Sequence, residues 1–120
     1  MTISKINILQ KLSLINEHWS PKIIAELNDS HIKLAKIQGE FIWHHHQDED
    51  ELFMVLQGKL VMRLPEGEVE VNPGELIVVP KGVEHMPFAP VETHIMLIEL
   101  KTTLNTGNIQ SERTVEAGWI

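Results

Sequence analysis

The residues best suited to chemistry stand together between Phe41 and Gly58, in the stretch FIWHHHQDEDELFMVLQG. Three consecutive histidines, His44, His45 and His46, precede the acids Asp48, Glu49, Asp50 and Glu51, in a chain with seven histidines in all. Side chains alternate along a strand, so His44 and His46 share a face with Ile42 while His45 points to the other. Positions i and i+2 of a strand lie roughly 6–7 Å apart, close enough for two imidazoles to reach one ion at ~2.0–2.2 Å. If QDED turns the chain back, Glu51 opens an antiparallel strand and brings its carboxylate to the same face, with Phe53, Val55 and Gln57 alongside. His44, His46 and Glu51 are therefore a candidate three-ligand group. Imidazoles with a carboxylate suit Fe, Mn, Ni, Zn or Co and do not choose among them.

Neighbouring groups compete for these roles. His45 is the second choice if the strand carries a bulge. Asp48, Glu49 or Asp50 could replace Glu51, although such a run reads first as a solvated loop. His94 lies on a later strand where it could support a ligand, but a surface histidine is the simpler reading. His18 and His31 read as surface residues.

The elements that must position these groups are short strands. KIIAEL and HIKLAKI are parted by NDS, which favours a turn. In the second run Ile32, Leu34 and Ile37 are apolar while Lys33 and Lys36 are polar, an imperfect period. EFIWHHH follows as a further strand, then the acidic loop. LFMVLQ is apolar on both faces, KLVMRL and EVEV alternate about the turn PEG, and ELIVVP follows the turn NPG. After KGVEHMPFAP the last strong strand is THIMLIEL. Strands separated by turn signals every 8–12 residues indicate an all-β sandwich or barrel. Ahead of them, Ile6, Leu9, Leu12 and Ile15 have the spacing of a short amphipathic helix or irregular arm, ended before Pro21. The tail after Lys101 is polar and weakly patterned.

The 120 residues make one domain's worth of chain, with a formal net charge of −7 and no cysteine. The absence of cysteine excludes thiolate metal sites and thiol catalysis. Basic residues form no cluster, which argues against a nucleic-acid partner. No apolar run approaches the ~18–20 residues of a membrane span, and the N-terminal stretch lacks a signal-peptide pattern. The expectation is a cytoplasmic protein.

Two spacings carry a family resemblance. His44-X-His46, four residues, Glu51, six residues, Gly58 resembles the first motif of the cupin superfamily. Its leading glycine, Gly39, is separated from His44 by four residues where the motif has five. Gly74, five residues, Pro80-X-Gly82, two residues, His85 resembles the second motif, with Ala89 where the motif ends in asparagine. Fifteen residues separate Gly58 from Gly74, the short spacing of small microbial cupins. Two motifs at the right separation are a far more specific signal than either alone.

The resemblance implies an RmlC-like cupin, a double-stranded β-helix or jelly-roll barrel. It implies one domain over residues 1–120, with a barrel core at about 21–101, an N-terminal arm over 1–20 and a C-terminal tail over 102–120. It also implies one divalent metal held by His44, His46, Glu51 and His85, an arrangement that would leave positions open for water or substrate. Ile42, Phe53 and Val55 are expected to line a mostly apolar interior suited to a small, metal-chelating ligand. No further acid or base stands out on an inward position. Leu52, Met54 and Leu56 form a second apolar face that needs a cover. That cover is either the N-terminal segment or, as in many cupins, a second subunit of a homodimer.

Three functions stay open: a metal-dependent oxygenase or isomerase, a non-catalytic metal and small-ligand binding module, and a relative of the cupins labelled mannose-6-phosphate isomerase-like. The last would want a basic cluster near the motifs, where only Arg63 and Lys81 stand.

Overall fold

The first hairpin shows how the patterning becomes structure. In the computed structural model, which describes residues 2–120, strand β1 (Lys22–Leu27) turns at Asn28 into β2 (Ser30–Glu40). Asn28 has φ +52°, a left-handed conformation that asparagine tolerates better than most residues. The chain continues through β3 (Glu51–Gln57), β4 (Leu60–Leu64), β5 (Gly67–Val71), β6 (Leu76–Val79), β7 (Met86–Leu100) and the two-residue β8 (Gly118–Trp119). One short helix, α1 (Ile8–Leu12), precedes them, capped by Asn7, whose Oδ1 accepts from Gln10 N at 3.0 Å. It is too short and too polar to cross a membrane, and no helix of the described residues is long and apolar enough to do so.

β7 organises the sheet. It pairs antiparallel with β2 from end to end on one side. On the other side its first residues pair with β4 and its later ones with β3. β3 in turn pairs with β6, and β4 with β5. The two faces bury separate apolar sets. Inward lie Ala35, Ile37, Phe53, Val55, Leu60, Met62, Ile95 and Leu97. Outward, Leu34 and Ile24 meet Leu12 and Ile15 of the N-terminal arm, with Leu56 and Met96 at the margin. Leu56 packs against this outer set. Leu52 and Met54 stay half-buried, and beside them on β6 the side chains of Leu76 and Val78 are 52% and 49% exposed.

Three details differ from the sequence reading. EFIWHHH is not a strand: β2 stops at Glu40, and the only pairing in the following ten residues is a bridge between His44 and His85. The last long strand starts at Met86 rather than Thr93. The added residues include Pro87 and Pro90; a proline lacks the N–H but keeps its carbonyl, and that of Pro87 accepts from Phe41 N at 3.0 Å. Finally, the polar position Lys33 faces inward in step with Ala35 and Ile37 and is buried.

The tail folds back over the sheet. Gly118 and Trp119 add a parallel edge beside β1, and Thr106 is fully buried with its hydroxyl 2.6 Å from that of Thr114.

Candidate metal centre

Two loop segments are tied together by backbone before any side chain is considered. His44 N donates to His85 O at 3.0 Å, and His85 N to His44 O at 2.9 Å. Gly82 N adds a bond to His46 O at 2.8 Å. The acidic loop is not merely solvated: Asp50 Oδ1 accepts from Lys81 N at 2.9 Å, and Glu49 Oε2 from Thr102 Oγ1 at 2.8 Å. These bonds fix the loop ahead of β3 against the turn carrying His85 and against Thr102 after β7, and β3 then presents Glu51.

Four side chains converge there. One ligand atom from each of His44, His46, Glu51 and His85 lies within 4.8 Å of the others, and all four residues are buried. Glu51 Oε1 stands 3.0 Å from His46 Nε2 and 3.3 Å from His85 Nε2. His44 and His85 bond through Nδ1 to the carbonyls of Ile42 and Val83, at 2.9 and 2.8 Å. An imidazole that donates through Nδ1 turns a free Nε2 lone pair the other way.

The donor set fits a divalent cation. His46 Nε2, His85 Nε2 and Glu51 Oε1 are buried and make no well-formed hydrogen bond. Buried polar atoms are rarely left so, and three of them facing one point is what a cation would satisfy. The electrostatics agree. Burial, with the neighbouring His85 and His46, pulls His44 down to about 4, against the Ile42 carbonyl and Glu51 acting the other way. The imidazole is therefore a neutral donor at ordinary pH. Burial pushes Glu51 up, but contacts with His46, His85 and Glu99 outweigh it and hold the carboxyl well below the usual range, ionised and ready to ligate.

The cluster opens onto a small cavity, which His44 and Glu51 both line. Its walls are apolar, from Ile37, Phe53, Ile95 and Leu97, and two further polar groups face it, Glu99 and Asn105. Trp19 and Phe41 line it as a stacked pair with ring centroids 4.8 Å apart. The Arg113 guanidinium lies 5.0 Å from the Phe41 ring and 5.8 Å from that of Trp19.

Of the apolar positions expected inside, Phe53 lines the cavity. Val55 lies two residues further along β3 in the solid core. Phe41 takes the wall position that alternation assigns to Ile42, because the segment after Glu40 is not a strand and does not alternate as one. His45 points away, its N–H donating to Asn108 Oδ1 at 2.8 Å and its ring 3.5 Å from Glu84. His94 and His18 lie near Glu92, and His31 near Glu26, all outside the cluster.

Glu99 is an inward-facing acid that did not stand out in the sequence. It continues the inward register of Ile95 and Leu97, is 4% exposed, and lines the cavity. Burial and the facing Glu51 carboxylate push its carboxyl well above the usual range, against Lys33. The signal was in THIMLIEL, where Thr93, Ile95, Leu97 and Glu99 share one face.

Known proteins align with this architecture. The sequence profile of the cupin domain family matches residues 31–100. A crystallised cupin-2 domain containing protein from Shewanella frigidimarina NCIMB 400 is 49% identical, with a TM-score of 0.78 over 79% of this chain and 93% of its own. The uncharacterized protein YdbB of Bacillus subtilis (strain 168) is 35% identical over 79% of this chain and 85% of its own. The acireductone dioxygenase of the same organism is 33% identical over 52% of this chain, which corresponds to 38% of that protein.

Proposed function

The chain belongs to the cupin domain family, and from that premise we propose that it is a metal-dependent enzyme of the oxygenase or isomerase type, acting on a small, partly apolar, metal-chelating molecule. His44, His46, Glu51 and His85 are the proposed ligands of one divalent ion drawn from Fe, Mn, Ni, Zn and Co. The observation that carries the reading is the convergence of three orphaned, buried ligand atoms beside a mainly apolar cavity. The similarity to an acireductone dioxygenase over half of the chain supports the oxygenase branch.

A divalent ion at this position would supply Lewis-acid polarisation or oxygen activation to a chelating molecule. The chain's own residues do the rest. The carbonyls of Ile42 and Val83 fix the ring orientation of His44 and His85. Ile37, Phe53, Ile95 and Leu97 exclude water around a ligand's apolar body and so strengthen the polar contacts at its head. The Trp19–Phe41 stack supplies a flat wall.

The test is admission of a chelator. A cobalt-loaded sample titrated with 4-nitrocatechol, a coloured vicinal diol, should change its visible spectrum to a stoichiometric end point. Phe53→Trp, which fills the cavity, should abolish that change while leaving the bound cobalt in place. An unaltered spectrum in the cobalt-loaded wild type would contradict a substrate site at the metal. Oxygen uptake with iron-loaded protein and a panel of enediols then separates oxygenation from isomerisation.

The same reading includes a homodimer formed through the outer face of β6, where Leu76 and Val78 stand exposed beside Leu52 and Met54. Contiguous apolar exposure of this kind marks an interaction face.

A further inference from the structure

One buried ion pair beside the cluster has no part in the ligand set. Lys33 and Glu99 are each 4% exposed, and Lys33 Nζ donates to Glu99 Oε1 at 2.7 Å. Glu99 stands directly opposite Glu51 in the register of β3 and β7. Lys33 stands opposite Leu97, two residues before Glu99, on the other side of β7. Lys33, Glu99 and Glu51 thus form a line across three neighbouring strands that ends at the histidines.

Two carboxylates directly opposed on adjacent strands repel, and burial strengthens the effect. Left free, Glu99 could turn its carboxyl toward any cation held by Glu51 and crowd it. The observed arrangement prevents this. Lys33 takes one oxygen of Glu99, while Glu51 turns a single oxygen, Oε1, to both His46 and His85. Glu99 Oε2 is left without a hydrogen-bond partner. As pure structure, a buried ion pair contributes little that apolar residues of similar size would not. Its placement against a proposed ligand gives it a function that apolar residues could not fill.

We propose that Lys33 and Glu99 are positioning residues of the metal centre: the ammonium holds Glu99 behind Glu51, keeping the second carboxylate off the ion and fixing which oxygen Glu51 presents. This rests on the metal reading above. It assigns Glu99 no bond to the ion, and it makes Lys33 act entirely through Glu99.

The experiment uses the full chain with Ni2+ as the probe for affinity, by competition with a coloured chelator, and Co2+ as the probe for geometry, by its visible ligand-field bands. Removing a partner that orients a ligand typically weakens metal binding about 10–100-fold. Glu99→Leu and the double variant Lys33→Met/Glu99→Leu should fall in that range and shift the Co2+ bands. Glu99→Gln keeps an oxygen for Lys33 and an amide for Glu51, and should stay within about threefold of wild type with unshifted bands. The double variant strands no buried charge, so it remains informative if Glu99→Leu fails to fold. A folded double variant with wild-type Ni2+ affinity and unshifted bands would overturn the proposal, leaving the pair structural only. Wild-type protein that binds neither ion would instead remove the metal reading, and this inference with it.

Discussion

His44 and His85 exchange both of their backbone hydrogen bonds, at 3.0 and 2.9 Å, as an isolated bridge between two loops. That bridge, rather than a continuous strand, places their rings 4.4 Å apart and leaves each Nδ1 on a carbonyl of its own segment. Anything that displaces this loop displaces two proposed ligands at once.

Gly107 is where such displacement is easiest to cause. Its φ is +57°, and a Cβ there would fall 2.1 Å from the His45 carbonyl oxygen and 3.2 Å from His44 Cδ2. Gly107→Ala should destabilise the fold by roughly 2–4 kcal/mol, combining left-handed strain with a backbone clash. Urea denaturation of the metal-free protein measures this. A midpoint equal to wild type would show that the tail does not pack on the loop as described.

His44 should stay neutral through the physiological range and protonate only at about pH 4. An imidazole NMR titration of the metal-free protein reads this directly, and a midpoint near 6.5 would contradict the burial that causes it. The sign for stability follows. A histidine with a depressed folded value contributes fully above its unfolded value of 6.5, and that contribution is lost as pH falls through about 4. It amounts to roughly 3 kcal/mol. Glu51, also depressed, acts with the same sign. Glu99, raised, acts with the opposite one: its contribution is present at low pH and lost as pH rises. The measurement therefore belongs in the Glu99→Gln background, where stability should fall steadily on acidification below pH 6.5.

Most strand segments and the two motif segments were legible because β-structure repeats every two residues and glycine and proline mark its turns. The wall of the site was less so. His44 and His46 do point to one place, yet the strand invoked to explain it does not exist, and Phe41 lines the cavity where alternation names Ile42. Lys33 looked like a solvent position in an imperfect pattern because a charged residue is read outward by default. Its partner Glu99 lies 66 positions away in sequence, and no local pattern reports a pairing at that distance. The tail was opaque for a related reason: Thr103 and Thr106 are buried although their composition is that of a loop.

The outer face of β6 yields a separate prediction. If Leu76 and Val78 meet a second copy, light scattering should give twice the chain mass, and Leu76→Asp/Val78→Asp should halve it without altering the far-ultraviolet circular dichroism. A wild-type protein that scatters as a monomer at micromolar concentration would remove the homodimer from the account.

The central claim is that His44, His46, Glu51 and His85 hold a divalent ion. Its most direct test is the metal content, by elemental mass spectrometry, of untagged protein prepared without chelators, beside that of His44→Ala/His46→Ala. The account predicts a stoichiometric divalent metal in the wild type and its loss from the double variant, with the fold retained. A folded double variant that keeps its full complement of metal would contradict it.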